Sequence, residues 1–166
     1  MIHYKIYPTT MGQAVIAADT QGLVALRFPT ETRPWQAPPD WQRGASALTD
    51  RAAAQLAEYL AGERLNFDLP LNPPGTEFQC RVWEALQSIP YGETRSYRQQ
   101  AEALGNLKAI RAVARANGAN PIAIVIPCHR VIGADGSLTG YAGGLEMKAR
   151  LLTLEGARFA DQPRLI

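Results

Sequence analysis

Cysteine and histidine are both scarce in this chain of 166 residues, two of each, and Cys80 and Cys128 stand far apart rather than in a CxxC pair. No tetrahedral zinc set at any usual spacing can be drawn from them, so neither metal nor other cofactor is expected. A disulfide does not suit an intracellular protein, which leaves two free thiols. Charge of one sign is lacking as well. The formal net charge is only +2, which alone says little about partners. No apolar run approaches the roughly 20 residues of a membrane span. The opening stretch, Met1-Ile2-His3-Tyr4-Lys5-Ile6-Tyr7-Pro8, has no apolar core of a secretory signal. Low-complexity tracts are missing, and a hydrophobic share of 46% suffices for a core in one medium domain or two small ones. A soluble, cytoplasmic protein is the expectation.

What is present is unevenly spread. Residues 1–75 hold six Lys/Arg against seven Asp/Glu, and the remainder eleven against eight. Between positions 92 and 130, Arg95, Arg98, Lys108, Arg111, Arg115 and Arg130 are opposed only by Glu93 and Glu102. Such a local excess suits phosphate contact, although a solvated helical face would look the same.

The first third reads as short strands over 2–7, 13–18 and 23–28, separated by turn residues, then a surface loop over 29–46 rich in Pro and Trp. Leu48, Ala52, Leu56, Tyr59 and Leu60 recur at helical spacing, predicting a helix over 47–61 that Gly62 closes. Residues 65–69 could add a strand. Leu71-Asn72-Pro73-Pro74-Gly75 can continue no element, so we place a domain boundary there, with domains over 1–72 and 76–166.

Beyond it the pattern changes to short capped helices. Thr76 with Gln79, and Ser96 with Gln99, are capping-box pairs ahead of apolar periodicity. The first helix ends at Pro90-Tyr91-Gly92 and the second at Gly105. A third runs from about Leu107 to Ala116, with Lys108, Arg111 and Arg115 opposite Ile110, Val113 and Ala114. Two short helices around a Gly-containing turn outline a helix-turn-helix, and an ordinary amphipathic surface helix remains the alternative. Ile122–Ile126 then reads as a buried strand that presents Cys128 at its exit. A glycine-rich loop follows, and a final helix spans 145–155.

A Cys-His dipeptide alone is weak, since a buried inert thiol beside a structural histidine is the default. Its surroundings say more. The run Asn120-Pro121-Ile122-Ala123-Ile124-Val125-Ile126-Pro127-Cys128-His129-Arg130-Val131-Ile132-Gly133 resembles the active-site signature of the O6-alkylguanine-DNA alkyltransferases. The likeness extends through Phe78-Gln79-Cys80-Arg81-Val82-Trp83, Ile89-Pro90-Tyr91-Gly92-Glu93-Thr94, Ser96-Tyr97, Arg111-Ala112-Val113 and Ala116-Asn117-Gly118. It continues in Gly140-Tyr141-Ala142-Gly143-Gly144 and Leu151-Leu152-Thr153-Leu154-Glu155-Gly156, so that it covers roughly residues 76–156. The first 75 residues match in general form only.

The resemblance implies a mixed α/β (α+β) fold, a ribonuclease-H-like α/β domain followed by a winged-helix, helix-turn-helix-like domain. It implies repair by direct reversal: one irreversible transfer of a methyl or larger alkyl group from guanine O6 in duplex DNA onto Cys128. In the family pattern His129 is the base, Glu155 orients it in a relay through water, and Tyr97 donates a proton to the departing guanine. Arg111 fills the space of the flipped base, with Arg95, Ser96, Lys108, Arg115 and Arg130 on the DNA. Asn120 matches the hinge asparagine, and Tyr141, Ala142 and Lys148 line the alkylguanine pocket. The chemistry agrees with the residue types. Attack on an alkyl carbon wants a soft thiolate, a free cysteine is only a few per cent ionised near neutrality, and a neighbouring base must help. Cys128 and His129, if extended, point to opposite sides, so a water or a sharp turn must join them. O6 lies inside the base pair, so the base must leave the stack. Cys80 is read as a buried thiol outside this machinery.

The chain departs from the family pattern at Leu107, Ile110, Ala114 and Arg115, and lacks the zinc ligands of some members' first domains. Three rivals stand beside the resemblance. A non-catalytic relative that binds alkylated DNA would lack the cysteine. A winged-helix transcription regulator would need neither Pro-Cys-His-Arg nor the Tyr97, Arg111, Glu155 set. A thiol hydrolase would need an oxyanion hole. A monomer is expected, with cooperativity on DNA and repair of O4-alkylthymine left open.

Overall fold

Short apolar runs split by turn residues become a sheet in the computed structural model, which describes residues 1–162. Strands β1 (His3–Thr9) and β2 (Gly12–Ala18) form an antiparallel hairpin paired from His3↔Ala18 to Thr9↔Gly12. β3 (Leu23–Arg27) adds antiparallel to β2, and β4 (Gln42–Arg43) adds parallel to β1, giving the order β3-β2-β1-β4. The expected 29–46 loop thus contributes a two-residue edge strand. β2 is central, and Ala14 through Ala18 are all buried. Helix α1 (Ala47–Leu60) begins at a capping box between Ser46 and Thr49 and buries Ala52, Leu56 and Tyr59 at helical spacing. Over Ala17, Val24 and Ala25 pack Ile2, Tyr4 and Trp41, and Trp35 lies edge-on to Tyr4 at 5.3 Å.

No strand forms over 65–69. The Gln55 side chain takes the place of a strand neighbour, accepting from the Asp68 amide at 2.9 Å and donating to its carbonyl at 3.1 Å. Three residues after Asp68, Leu71 makes a parallel bridge to Leu23.

Contacts divide the chain into two compact units, Met1–Pro74 with Pro121–Ala123, and Gly75–Asn120 with the chain from Ile124 onward. Positions 163–166, the end of the second expected domain, lie outside the described residues. The return of 121–123 to the first unit has no sequence sign. There Leu26 donates to the Pro121 carbonyl and accepts from Ala123, both at 2.9 Å.

The second unit is built from short capped helices. α2 (Glu77–Leu86) and α3 (Tyr97–Ala103) start at the two expected capping boxes, Thr76/Gln79 and Ser96/Gln99. Gly105 at φ +78 turns the chain after α3, a conformation L side chains avoid. A single 3-10 turn over Leu107–Ala109 then runs into α4 (Ile110–Gly118). Two buried amides lock α3 to α4: Gln100 donates to Asn117 at 2.7 Å, and Asn117 donates back at 2.8 Å. Both side chains are thereby satisfied inside the core, which fixes how the two helices meet. The Trp83 indole of α2 donates to the Ala116 carbonyl at 2.8 Å, holding the same helix from the other side. A small parallel pair joins β5 (Arg95–Ser96) to β6 (Val131–Ile132), and α5 (Leu145–Leu154) closes the unit. No helix of the described residues is long and apolar enough to cross a membrane.

Candidate active site

Residues 122–126 are the clearest departure from expectation. Ile122, Ile124 and Ile126 are buried and Ala123 and Val125 only partly so, a period of two, yet no strand forms. Ile124 sits at φ 71, a left-handed conformation that is costly for a β-branched residue. The apolar alternation is real, but it lines a buried turn. Pro127 follows at φ −82, ψ 61, and the Cys128 amide donates to the Ile126 carbonyl at 2.8 Å, an inverse γ-turn. Cys128–Arg130 then forms one 3-10 turn. The backbone at Cys128 and His129 is therefore sharply bent rather than extended.

Asn120 reaches this bend from the end of α4. Its amide nitrogen donates to the Ile126 carbonyl at 2.8 Å and to the Cys128 sulfur at 3.3 Å. The first bond holds the turn, and the second favours a charged sulfur. Burial raises the Cys128 thiol above its ordinary value, while the Asn120 bond and the positive charge of Lys148 pull it down. The net direction is upward, so the sulfur keeps its proton near neutrality unless a base takes it.

His129 and Glu155 are fully buried and face one another, Nε2 to Oε2 at 2.8 Å. With Nε2 donating to the carboxylate, Nδ1 keeps its lone pair, and among the described residues it has no hydrogen-bond partner. Arg130, expected among the DNA-contacting cations, is instead turned inward. Its Nε and Nη2 donate to the two oxygens of Glu155 at 2.8 and 3.0 Å, and Nη1 to the Ile89 carbonyl at 2.7 Å. A carboxylate buried with only a neutral imidazole would be prohibitively costly, and the bidentate guanidinium is what makes Glu155 tenable there. Burial lowers the His129 pKa, Glu155 opposes this, and Arg130 adds to the lowering. The imidazole therefore stays neutral and able to accept a proton.

Gly92 completes the cradle of Glu155. At φ +81 its amide donates to Oε1 at 3.4 Å, and a Cβ there would stand 2.9 Å from the Glu155 carbonyl oxygen. Only glycine meets both conditions. Tyr91 donates to the Leu154 carbonyl at 3.2 Å, and the Arg130 guanidinium lies 5.8 Å from its ring centroid.

Tyr97 opens α3, and the β5–β6 pair ties the start of that helix to the residues after Arg130. Its hydroxyl donates to the Thr139 carbonyl at 3.2 Å. Lys148, 1% exposed, donates to the same carbonyl at 2.8 Å. Burial brings the Lys148 pKa down to about 8, against the pull of Cys128. Tyr141 has a buried hydroxyl with no partner among the described residues, and burial raises its pKa well above the phenolic range. Ala142 is exposed beside it. Lys108, Arg111 and Arg115 all lie exposed on the 3-10 turn and α4. Ser96 spends its hydroxyl on the Gln99 amide at 3.1 Å, and Arg95 pairs with Glu93 at 3.2 Å. Cys80 is half-buried rather than buried, its sulfur 3.8 Å from the Gly75 carbonyl.

Comparison with known proteins identifies the family. Residues 77–157 match the family model for the 6-O-methylguanine DNA methyltransferase DNA-binding domain, and residues 2–73 match the ribonuclease-like domain of the same family. The chain belongs to the 6-O-methylguanine DNA methyltransferase family. A methylated-DNA–protein-cysteine methyltransferase from Methanosarcina acetivorans is 48% identical over 94% of this chain and 99% of its own. A constitutive one from Bacillus subtilis is 42% identical over 98% and 100%. The crystal structure of Mycobacterium tuberculosis OGT in complex with DNA superposes with a TM-score of 0.85 at 47% identity, covering 93% of this chain and 92% of that one. The fold is accordingly the family's ribonuclease-like α/β domain with a helical DNA-binding domain, as the sequence resemblance implied.

Within that family frame, several contributors escaped the sequence reading. Gly92 and Tyr91 stood in a helix-ending motif and drew no role of their own. Gln100 and Asn117 gave no hint of pairing. Thr139 is a lone hydroxyl in a glycine-rich loop, and nothing in its neighbours singles it out.

Proposed function

We propose that Cys128 is the acceptor in a single, irreversible transfer of an alkyl group from guanine O6 in duplex DNA. DNA repair by alkyl transfer to a cysteine comes with the family, and DNA binding with its helical domain. The observation that carries the assignment to Cys128 is the Asn120 amide at 3.3 Å from its sulfur, backed by the buried His129–Glu155 pair. His129 Nδ1 takes the thiol proton through a relay, and Glu155 stabilises the imidazolium that results. The sulfur attacks the alkyl carbon, the carbon–sulfur bond forms, and the carbon–O6 bond breaks with its electron pair going to guanine. Tyr97 gives guanine a ring proton, and in the net balance the thiol proton replaces it. The product is a thioether without a regeneration route, so each molecule acts once.

Lys108 on the 3-10 turn and Arg111 and Arg115 on α4 serve the phosphates and the duplex, with Arg95 and Ser96 flanking them and Arg111 filling the space of the extruded base. Tyr141, Ala142 and Lys148 line the pocket. The exposed large apolar residues Met1, Leu65, Leu107 and Leu145 belong to separate segments, which supports a monomer; action in the cytoplasm is part of the same proposal.

The test is stoichiometry. Duplex DNA carrying labelled O6-methylguanine should transfer one equivalent of methyl and then stop, with the label on the peptide containing Cys128. Label beyond one equivalent, or on Cys80, would overturn the assignment. Arg111→Ala should slow repair in duplex DNA by about ten- to a hundredfold, the scale of a lost positioning contact, and leave reaction with free O6-alkylguanine nearly unchanged. Equal losses on both would remove Arg111 from base extrusion.

A further inference from the structure

The hydroxyl of Tyr97 is held from two directions by one residue. It donates to the Thr139 carbonyl at 3.2 Å, and the Thr139 hydroxyl donates back to it at 3.0 Å. The Thr139 carbonyl in turn accepts from the buried Lys148 ammonium at 2.8 Å, and the Gly140 carbonyl lies 3.5 Å from the same nitrogen. Lys148 issues from α5 and Tyr97 from α3, so Thr139 is the point at which a glycine-rich loop is pinned to both helices.

We infer that Thr139 is a positioning residue for alkyl transfer, one that aims the Tyr97 hydroxyl and supports the phenolate oxygen as its proton leaves. The inference rests on Tyr97 being the proton donor proposed above. A phenol has one hydrogen, and here it is directed at a carbonyl. When that hydrogen turns to the guanine ring, the bond to the Thr139 carbonyl is given up, whereas the bond from the Thr139 hydroxyl remains and strengthens as negative charge builds on the phenol oxygen. Only a donor at position 139 can do this, and a carbonyl alone would oppose it. Thr139 is exposed, so its hydroxyl is not required to satisfy a buried group, and removing it should leave the fold intact.

The test is a two-residue cycle read as single-turnover transfer from O6-methylguanine duplex to the full chain. Thr139→Val, which keeps shape and branching but loses the hydroxyl, should slow transfer by about three- to tenfold, the effect of one hydrogen bond. Thr139→Ser should restore most of the rate. In a Tyr97→Phe background Thr139→Val should cost nothing further. Wild-type speed in Thr139→Val alongside a slow Tyr97→Phe would overturn the inference while sparing the role of Tyr97. An equal loss from Thr139→Val in both backgrounds would also overturn it, by showing that the residue acts only on the loop. Full speed in Tyr97→Phe would end the proton-donor reading and the inference with it.

Discussion

Cys128→Ala is expected to accept no alkyl group while folding and binding DNA much as the native chain does. The proposed acceptor is the sulfur itself, so nothing graded should remain. The fold should hold because the turn carrying Cys128 is made by backbone and by Asn120. The Asn120 amide keeps its bond to the Ile126 carbonyl at 2.8 Å when the sulfur is gone, and Pro127 still sets the bend. Loss of one half-buried sulfur should therefore cost about 1 kcal/mol or less in urea unfolding. Cys80→Ala should transfer at the native rate, since its sulfur lies on α2 beside the Gly75 carbonyl and outside the cluster around Cys128. Labelled-methyl transfer and unfolding curves on the two variants check both statements. Measurable transfer to Cys128→Ala would place the acceptor elsewhere.

Glu155→Ala is expected to damage stability and chemistry together. Its carboxylate is the shared partner of His129 and Arg130, both buried, and the Gly92 amide also points at it. Removing it leaves a buried guanidinium without a counter-ion, which costs about 3–5 kcal/mol. The chemical loss can be separated with Glu155→Gln, which keeps the shape and one acceptor oxygen. That variant should transfer about a hundredfold or more slowly even where it is fully folded, because the imidazolium loses its stabilising charge. The sign of the pH effect follows from the same contacts. Glu155 holds the His129 pKa up while Arg130 pushes it down, so losing the carboxylate moves it further below its ordinary value. The acid limb of the rate profile in Glu155→Gln should accordingly shift to lower pH. An acid limb that stays in place would mean that His129 is not the base.

Arg130 shows why such contacts dominate at this site. Counted along the sequence it is one more cation in a basic stretch, but in the fold it neutralises the buried carboxylate that faces His129. Its burial is possible because Tyr91, Ile89 and Glu155 each meet part of the side chain, through a ring face, a carbonyl and a bidentate carboxylate.

What the sequence determined by itself was local and periodic. Ser96 and Thr76 specify helix starts because their hydroxyls cap amides three residues on, a bond that needs no distant partner. The hairpin strands, the α1 stripe and the motif around Pro127-Cys128-His129-Arg130 could be read for the same reason, since each is written in consecutive residues. The tertiary structure alone decided the rest. Burial with a period of two over 122–126 is shared by a strand and by the turn that forms, and Ile124 at φ 71 is tolerated only because its side chain is packed on all sides. The inward turn of Arg130, the Gln100–Asn117 pair and the grip of Thr139 on Tyr97 join residues 17 to 42 positions apart. Which charge is buried and which hydroxyl finds a partner is set by the desolvation each group meets in the folded chain, and desolvation is a property of neighbours that the sequence does not place side by side.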